Sequence, residues 1–401
     1  MLGRAREFKV DWGRSLMKAL INGHLYTPQA IAGPGILLID EGKVVAAGPA
    51  EAIDLPAGCE VIDVGGRIVT PGLIDLHIHG VLGYSCLGGE LAQVAEALPR
   101  FGVTAFCATT ISAPVGHLLE QLEEMADVIE RPPRGARILG IHLEGPHLSR
   151  KRPGMARVDL QHPLEWGEME RIQAAARGHV NMITFAPEDG QAAELIPRLI
   201  ESCVTPVIGH SDATFDQVTA WVRQGLNHAT HAFNAMRGFH HREPGVLGAV
   251  LLYDEIVAQL IADGHHVHPG AMALLWKIKG PTRTALISDA IPYAGMPPGM
   301  YEWEGYRLIL DGQTSRLEDG TLAGATTLLN QNIRTLVEQV GALYADAVMA
   351  ATQTPALAIG YGDRLGRLAP GFAADLAIMD KDGVVWQTWV DGEVVFQATA
   401  T

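Results

Sequence analysis

Between residues 71 and 360 the chain alternates short apolar runs with amphipathic stretches. The runs LIDLHIHG, VTAFCATT, ARILGIHLEG, VNMITFAPE, TPVIGH, LNHATHAF, IVAQLIADG and TALISDA have the length and composition of buried strands. Between most of them lie segments such as LAQVAEALPRFG, VGHLLEQLEEMADVIER, ELIPRLIES and FDQVTAWVRQG, whose apolar residues recur at helical spacing. Strand–helix units repeated over this whole span predict a (β/α)8 barrel. A doubly wound sheet is the alternative. It would place a glycine-rich phosphate loop after the first strand, and neither GxGxxG nor GxxxxGK[ST] occurs there.

The flanks have a different texture. Residues 18–70 read as short strands with tight turns, among them a hairpin signal at Asp40-Glu41-Gly42-Lys43. The C-terminal run ADLAIMDKDGVVWQTWVDGEVVF repeats the pattern, with turns at Asp380-Lys381-Asp382-Gly383 and Asp391-Gly392. These ends predict one small β-sandwich, 17–70 joined by 363–401, with the TIM-type α/β barrel of 71–362 inserted between them. Residues 1–16 mix charged and apolar residues irregularly and read as an extension.

Composition narrows the function. The 401 residues are 48% hydrophobic and 19% charged, suited to a globular chain with a sizeable core. A net charge of −15 argues against a general nucleic-acid binder, and an anionic substrate would need local cations. The four cysteines, Cys59, Cys86, Cys107 and Cys203, form no CxxC and no disulfide-like framework, which points to a reducing cytoplasm. No stretch is apolar enough to span a membrane or serve as a secretory signal.

The candidate chemistry sits where the strands end. In PGLIDLHIHG, His77 and His79 are one residue apart and share a strand face, so two imidazoles can grip one cation. Glu144 closes ARILGIHLE, His210 ends TPVIGH, His228 and His231 lie in LNHATHAF, and Asp289 follows TALIS. The C-terminal strand ends of a barrel converge on one mouth. Histidine nitrogens and carboxylate oxygens suit Zn2+, Fe2+, Co2+ or Mn2+. Each residue also has a plainer reading: a hydrogen-bonded core histidine, a loop-capping Glu144, a helix N-cap at Asp289. Packing alone does not explain metal-compatible residues at strand end after strand end.

PGLIDLHIHG, HLEGPH, GHSDAT, THAFNAM, REPG, IADGHHVHP and ISDA, in this order, resemble the N-acetylglucosamine-6-phosphate deacetylases of the amidohydrolase superfamily. The resemblance runs from about residue 18 through LAGATTLLNQNIRTLV and GRLAPGFAADLAIMD. It implies a barrel enzyme, usually a homodimer, that releases acetate from an amino sugar phosphate with one or two divalent metals per subunit. On that pattern Glu144, His210 and His231 hold the principal metal, and His77 and His79 help hold a second. Asp289 is the acid/base and a further metal ligand, while Asn234, Ala235, Arg242 and His266 bind the sugar phosphate, Arg242 in a neighbouring subunit's site. Lys151 is the only lysine between Lys43 and Lys277 and lies in a loop-like run, which disfavours a bridging carbamylated lysine and favours Glu144.

The chain departs from the pattern in places. Ala156 stands where the family commonly has a substrate-contacting histidine, with Arg157 beside it as an alternative donor. Ile291-Pro292 replaces a small residue after the Asp-Ala pair, which would reshape the pocket wall, and His147 is expected at the pocket rim. The readings that compete with a phosphorylated substrate are another N-acyl compound and a non-catalytic metal or sugar-phosphate binding barrel.

Overall fold

The computed structural model describes residues 17–26 and 33–399, so the extension expected at 1–16 lies outside the described residues. Eight parallel strands form a sheet whose spatial order follows chain order: Leu73–Ile78, Val103–Thr109, Arg137–Glu144, Val180–Phe185, Thr205–Ile208, His228–Ala229, Val257–Ile261 and Thr284–Ile287. The ends of this series meet. The Asp289 N–H donates to the His77 carbonyl at 2.8 Å, and the Asp75 carboxylate accepts the N–H groups of Ser288 and His77, each at 3.2 Å. Burial pushes the Asp75 carboxyl up to about 6. The expected barrel is therefore present, and the doubly wound alternative is excluded.

Helices follow the strands and cover the barrel. In Val115–Glu130 the residues Leu118, Leu122 and Met125 are buried, the stripe that a 3.6-residue period presents to one side. Strand residues such as Phe106, Ile183 and Phe185 meet them in one continuous core. Burying a phenylalanine fully contributes roughly 1.5–3 kcal/mol. A separate cluster, including Ile74, Leu76, Ala105, Cys107, Met182, Val207, Ala285 and Ile287, fills the barrel interior. Between Asp75 and Ile78 the first strand shifts register against the second. That irregularity turns His77 and His79 inward above the apolar layer, where strict alternation from Ile74 would send them outward.

The chain termini build the second body. Strands Lys18–Leu25, Gly35–Asp40, Lys43–Pro49, Glu60–Asp63 and Ile68–Pro71 join Leu376–Met379, Val385–Val390 and Glu393–Gln397 in one mixed sheet. Leu20, Leu37, Val69, Leu376 and Trp389 share a core between its parts, giving the small β-sandwich.

One piece of the molecule carried no expectation. After Asp289 the chain makes a three-stranded antiparallel sheet, Gly299–Trp303, Tyr306–Leu310 and Ser315–Arg316. Glu304 and Gly305 turn its first hairpin with φ of +48° and +80°. Leu308 and Leu310 pack on Leu87, Ile111 and Ile291 over the barrel mouth.

Candidate active site

The strand ends set the geometry. Glu144 is the last residue of its strand. His210 lies two residues past Ile208, in a turn closed by a capping box in which Thr214 accepts from the Gln217 N–H and the Gln217 side chain answers the Thr214 N–H. The sixth strand stops at Ala229, shorter than its apolar run suggested. The chain then kinks, with positive φ at His231 (22°), Phe233 (81°) and Ala235 (48°). Asp289 also has a left-handed backbone, φ +51°, clamped between the His77 carbonyl and the Ala325 N–H. A bridge from Ala290 to Ala325 follows, with no helix there for Asp289 to cap. Strained backbone at such positions is tolerated where the surroundings over-determine it.

Six side chains converge. Glu144 Oε1 lies 3.3 Å from His210 Nε2 and 3.2 Å from His231 Nε2. Its other oxygen lies 3.1 Å from His77 Nε2 and 3.3 Å from His79 Nε2. Asp289 Oδ1 stands 3.1 Å from His79 Nε2 and 3.4 Å from His77 Nε2. His77, His79 and Asp289 form one potential cation-binding triad; Glu144, His210 and His231 form another.

The protons on these rings decide whether a cation fits. His210 Nδ1 faces the Arg152 and Pro153 carbonyl oxygens at 3.0 and 3.1 Å, and His231 Nδ1 faces the Asn234 carbonyl at 3.2 Å. A carbonyl only accepts, so each Nδ1 carries the hydrogen and each neutral ring turns its Nε2 lone pair inward. Those two Nε2 atoms are 3.1 Å apart beside a carboxylate oxygen. Two lone pairs and an anionic oxygen at such range repel unless a positive charge lies among them. The donor set fits a divalent cation, with Glu144 between the two triads.

Protons compete for the same position. Burial opposes the His79 imidazolium, but its contacts with Asp289 and Glu144 outweigh burial and push it up to about 10. Burial likewise disfavours ionised Glu144 and Asp289. The facing His77 and its neighbours override it, holding Glu144 well below the usual carboxylate range and Asp289 at about 2.

Beside the cluster is a cavity of about 180 Å³, whose walls include Asn234, Ala235, His266, Ala156, Tyr306 and Gly324. His266 is oriented by Asp263, Nδ1 to Oδ2 at 2.7 Å. Burial disfavours its charge, and the Asp263 carboxylate more than restores it, raising the pKa above the ordinary value. A larger groove of about 410 Å³ lies elsewhere, lined by Glu90, Glu120, Glu124, Glu302 and Glu304, and would repel an anionic substrate.

Not every expectation meets here. Arg242 is exposed and is not among the cavity-lining residues of its own chain. Arg157 turns away and pairs with Asp159 at 2.6 Å. Tyr306 is the polar side chain that comes to the wall beside Ala156, its hydroxyl accepting the Arg157 N–H at 3.2 Å. Ile291 is fully buried behind Gly324, where a Cβ would meet its Cγ2 at 2.6 Å, so it shapes the wall from behind. His147 is buried away from the rim with His162 and Glu168. His228 pairs with Asn227 Oδ1 at 2.7 Å, outside the cluster. Sequence reasoning missed Tyr306 and Asp263. The WEGY hairpin and the DGHH run were the signals available for them.

The barrel, its capping sheet and the twin triads define a hydrolase of the amidohydrolase type, and the amidohydrolase family model matches residues 68–395. The chain belongs to that family, in the branch of the N-acetylhexosamine-6-phosphate deacetylases. It is 34% identical over 378 residues to the N-acetylglucosamine-6-phosphate deacetylase of Bacillus subtilis (strain 168), covering 93% of this chain and 95% of that one. It is also 34% identical to the N-acetylgalactosamine-6-phosphate deacetylase of Escherichia coli O157:H7, covering 89% and 97%. A mutant N-acetyl-D-glucosamine-6-phosphate deacetylase from Mycobacterium smegmatis, solved in complex with N-acetyl-D-glucosamine-6-phosphate, is similar in structure. Its TM-score is 0.88 and its identity 32%, covering 95% of this chain and 100% of that chain.

Proposed function

We propose that this enzyme hydrolyses the N-acetyl amide of N-acetylglucosamine 6-phosphate, giving glucosamine 6-phosphate and acetate. The observation that carries the reading is the opposed pair of lone-pair-bearing rings, His210 and His231, closed by Glu144 and flanked by Asp289 at the edge of a single cavity. Glu144, His210 and His231 would hold one divalent cation, and His77, His79 and Asp289 a second, with Zn2+ favoured and Fe2+, Co2+ or Mn2+ compatible. When bound, the cation supplies Lewis-acid polarisation of the acetyl carbonyl and a lowered pKa for the attacking water.

Asp289 acts as the proton carrier. Its carboxylate, ionised at neutral pH, takes a proton from water as the oxygen adds to the acetyl carbon. The same proton then passes to the amide nitrogen as the C–N bond breaks, so the amine leaves neutral. Asn234, the Ala235 backbone and His266 would orient the sugar. Arg242, exposed on its own chain, would reach the phosphate of a second subunit in a homodimer, where its planar fork suits phosphate oxygens. No helix among the described residues is long and apolar enough to cross a membrane, and the four cysteines are free thiols; a cytoplasmic site of action fits both.

The test is acetate release from N-acetylglucosamine 6-phosphate, N-acetylgalactosamine 6-phosphate and unphosphorylated N-acetylglucosamine, with metal content measured on the same sample. The first substrate is expected to have the highest kcat/KM. Equal turnover of the unphosphorylated sugar would remove the phosphate from the assignment, and higher turnover of the galacto epimer would reassign the sugar.

A further inference from the structure

Away from the barrel mouth, three residues from two neighbouring segments bring ligand atoms within 4.8 Å of one another: His147, His162 and Glu168. His147 is 2% exposed, yet neither of its ring nitrogens has a hydrogen-bond partner. A buried polar group with no partner is costly, and a native chain rarely leaves both nitrogens of an imidazole so. The His162 ring stands edge-on to it, centroids 5.0 Å apart at 84°. His162 Nε2 lies 3.1 and 3.0 Å from the two Glu168 oxygens, while its Nδ1 faces the Leu160 carbonyl at 2.9 Å. That carbonyl places the hydrogen on Nδ1, so a neutral His162 turns its Nε2 lone pair toward the carboxylate, and a proton or a metal cation must lie between them.

We propose that His147, His162 and Glu168 form a further divalent-cation site, distinct from the barrel cluster, that takes Zn2+ or a chemically similar ion such as Co2+. Two imidazole nitrogens and one carboxylate oxygen are a borderline donor set of this class, unlike the all-oxygen shells of Ca2+ or Mg2+. The ligand atoms of a tetrahedral ion with bonds of about 2.0–2.1 Å lie roughly 3.3–3.5 Å apart. Side-chain movements of about an ångström bring the three atoms to that spacing. The His162 side chain is 36% exposed, so solvent reaches the fourth position and water completes the shell. Burial keeps the His147 ring neutral, its pKa pushed down to about 3, and its lone pair is available at neutral pH.

The position gives the ion a structural task. His147 and His162 bracket a loop whose Gly154, Met155 and Ala156 line the reaction cavity, and whose Arg152 and Pro153 carbonyls orient His210. At its base the His162 N–H donates to the Pro146 carbonyl at 3.2 Å, and the Leu148 N–H to Gln161 Oε1 at 3.2 Å. A cation there staples the two ends of the loop and stiffens one wall of the site.

Chelator-stripped protein is dialysed against Co2+ and, separately, Zn2+, and bound metal is counted by elemental analysis for the parent, His162→Gln and Glu168→Gln. Each variant is expected to bind one equivalent fewer than the parent. Added Zn2+ should slow tryptic cleavage after Arg150 and Lys151 more in the parent than in His162→Gln. His162→Gln alters a partly exposed side chain and Glu168→Gln is nearly isosteric, so loss of the fold would not explain a matched loss in both. Equal stoichiometry in all three proteins overturns the site. So does a parent whose entire metal content disappears in a His79→Gln, His210→Gln double variant.

Discussion

Two groups of buried histidines lie within a few ångströms of each other, and they do different things. His210 and His231 present inward-facing Nε2 atoms to a carboxylate and to each other. His142, two residues before Glu144 on the same strand, is just as buried. Its Nδ1 faces the Leu76 carbonyl at 2.9 Å and its Nε2 the Thr184 hydroxyl at 2.7 Å. A hydroxyl can donate, so neutral His142 satisfies both nitrogens and needs no cation. Its ring packs edge-on against His77, centroids 4.8 Å apart, and supports that ring in the cluster. What marks a histidine as a candidate metal ligand here is the partner opposite its inner nitrogen. Burial and position in the strand do not separate the two groups.

The largest break in that comparison comes from Asp289, the anion that faces His77 and His79 without joining the two triads as Glu144 does. Asp289→Asn keeps the shape and removes the proton carrier. A kcat loss of about 10²–10⁴-fold is expected, with the cation of the Glu144 triad retained. Steady-state kinetics with metal analysis checks it, and near-normal turnover would end the assignment. A matched pair comes next. His210→Gln is expected to weaken cation binding by at least about 10–100-fold, the loss typical even for groups that only orient a ligand. His142→Gln should leave metal content unchanged and lower stability by about 1–3 kcal/mol, because the Leu76 carbonyl and Thr184 hydroxyl lose a well-placed partner. Dialysis against graded Zn2+ and denaturant melts distinguish the two. Equal metal loss in both variants would show that ring partners do not decide ligation.

The barrel was legible because its signal is local and repeated: apolar runs of strand length separated by helical periodicity. The candidate site was legible because barrel topology sends every strand's C-terminal end to one mouth, so HIH, HLE, GHS and ATH could be gathered without coordinates. What stayed hidden depends on pairing partners. HLE offers His142 and Glu144 on one face, and nothing local says that one meets a hydroxyl and the other four imidazoles. The register shift beside Asp75 that turns His77 inward is a property of two strands together. The capping sheet was missed because its strands are short and half exposed, with Met300 74% and Ile309 40% accessible, and their apolar positions face a small satellite core. Tyr306 reaches the cavity from that sheet. His147, just after Gly145-Pro146, was expected at the pocket rim; it is buried instead beside His162 and Glu168.

A smaller effect is expected when an imidazole is added to the cavity wall outside the two triads. Ala156 lines the cavity at the position where the family resemblance leads to the expectation of a histidine. Ala156→His should act as His142 does, through hydrogen bonds. It is expected to raise kcat/KM for N-acetylglucosamine 6-phosphate by up to about tenfold, the worth of one added hydrogen bond, with no change in bound metal. Competing the glucosamine and galactosamine substrates measures the effect. A gain for the galacto epimer alone would place the lost contact on the hydroxyl that differs between them.

The smallest and most graded test is pH. Burial holds His142 neutral with a pKa of about 3, and His228 at about 4. Both lie below the ordinary histidine value of about 6.5 that the unfolded chain adopts. From about pH 6.5 down to 4 the unfolded chain therefore binds protons that these native rings refuse, and the stability the two rings contribute falls as pH falls, against an opposite contribution from buried Asp75, whose native value is about 6. Each ring steepens the slope by at most about 1.4 kcal/mol per pH unit. The depressed carboxylates contribute stability above their unfolded values of about 4 and lose it as pH drops through their lower native values, so their loss comes mainly below this window. His228→Gln should flatten the melting temperature between pH 6.5 and 4 relative to the parent, with both proteins chelator-treated so that metal release does not enter. An unchanged slope would mean that the His228 ring takes up a proton in the native state, and that burial beside Asn227 does not keep it neutral.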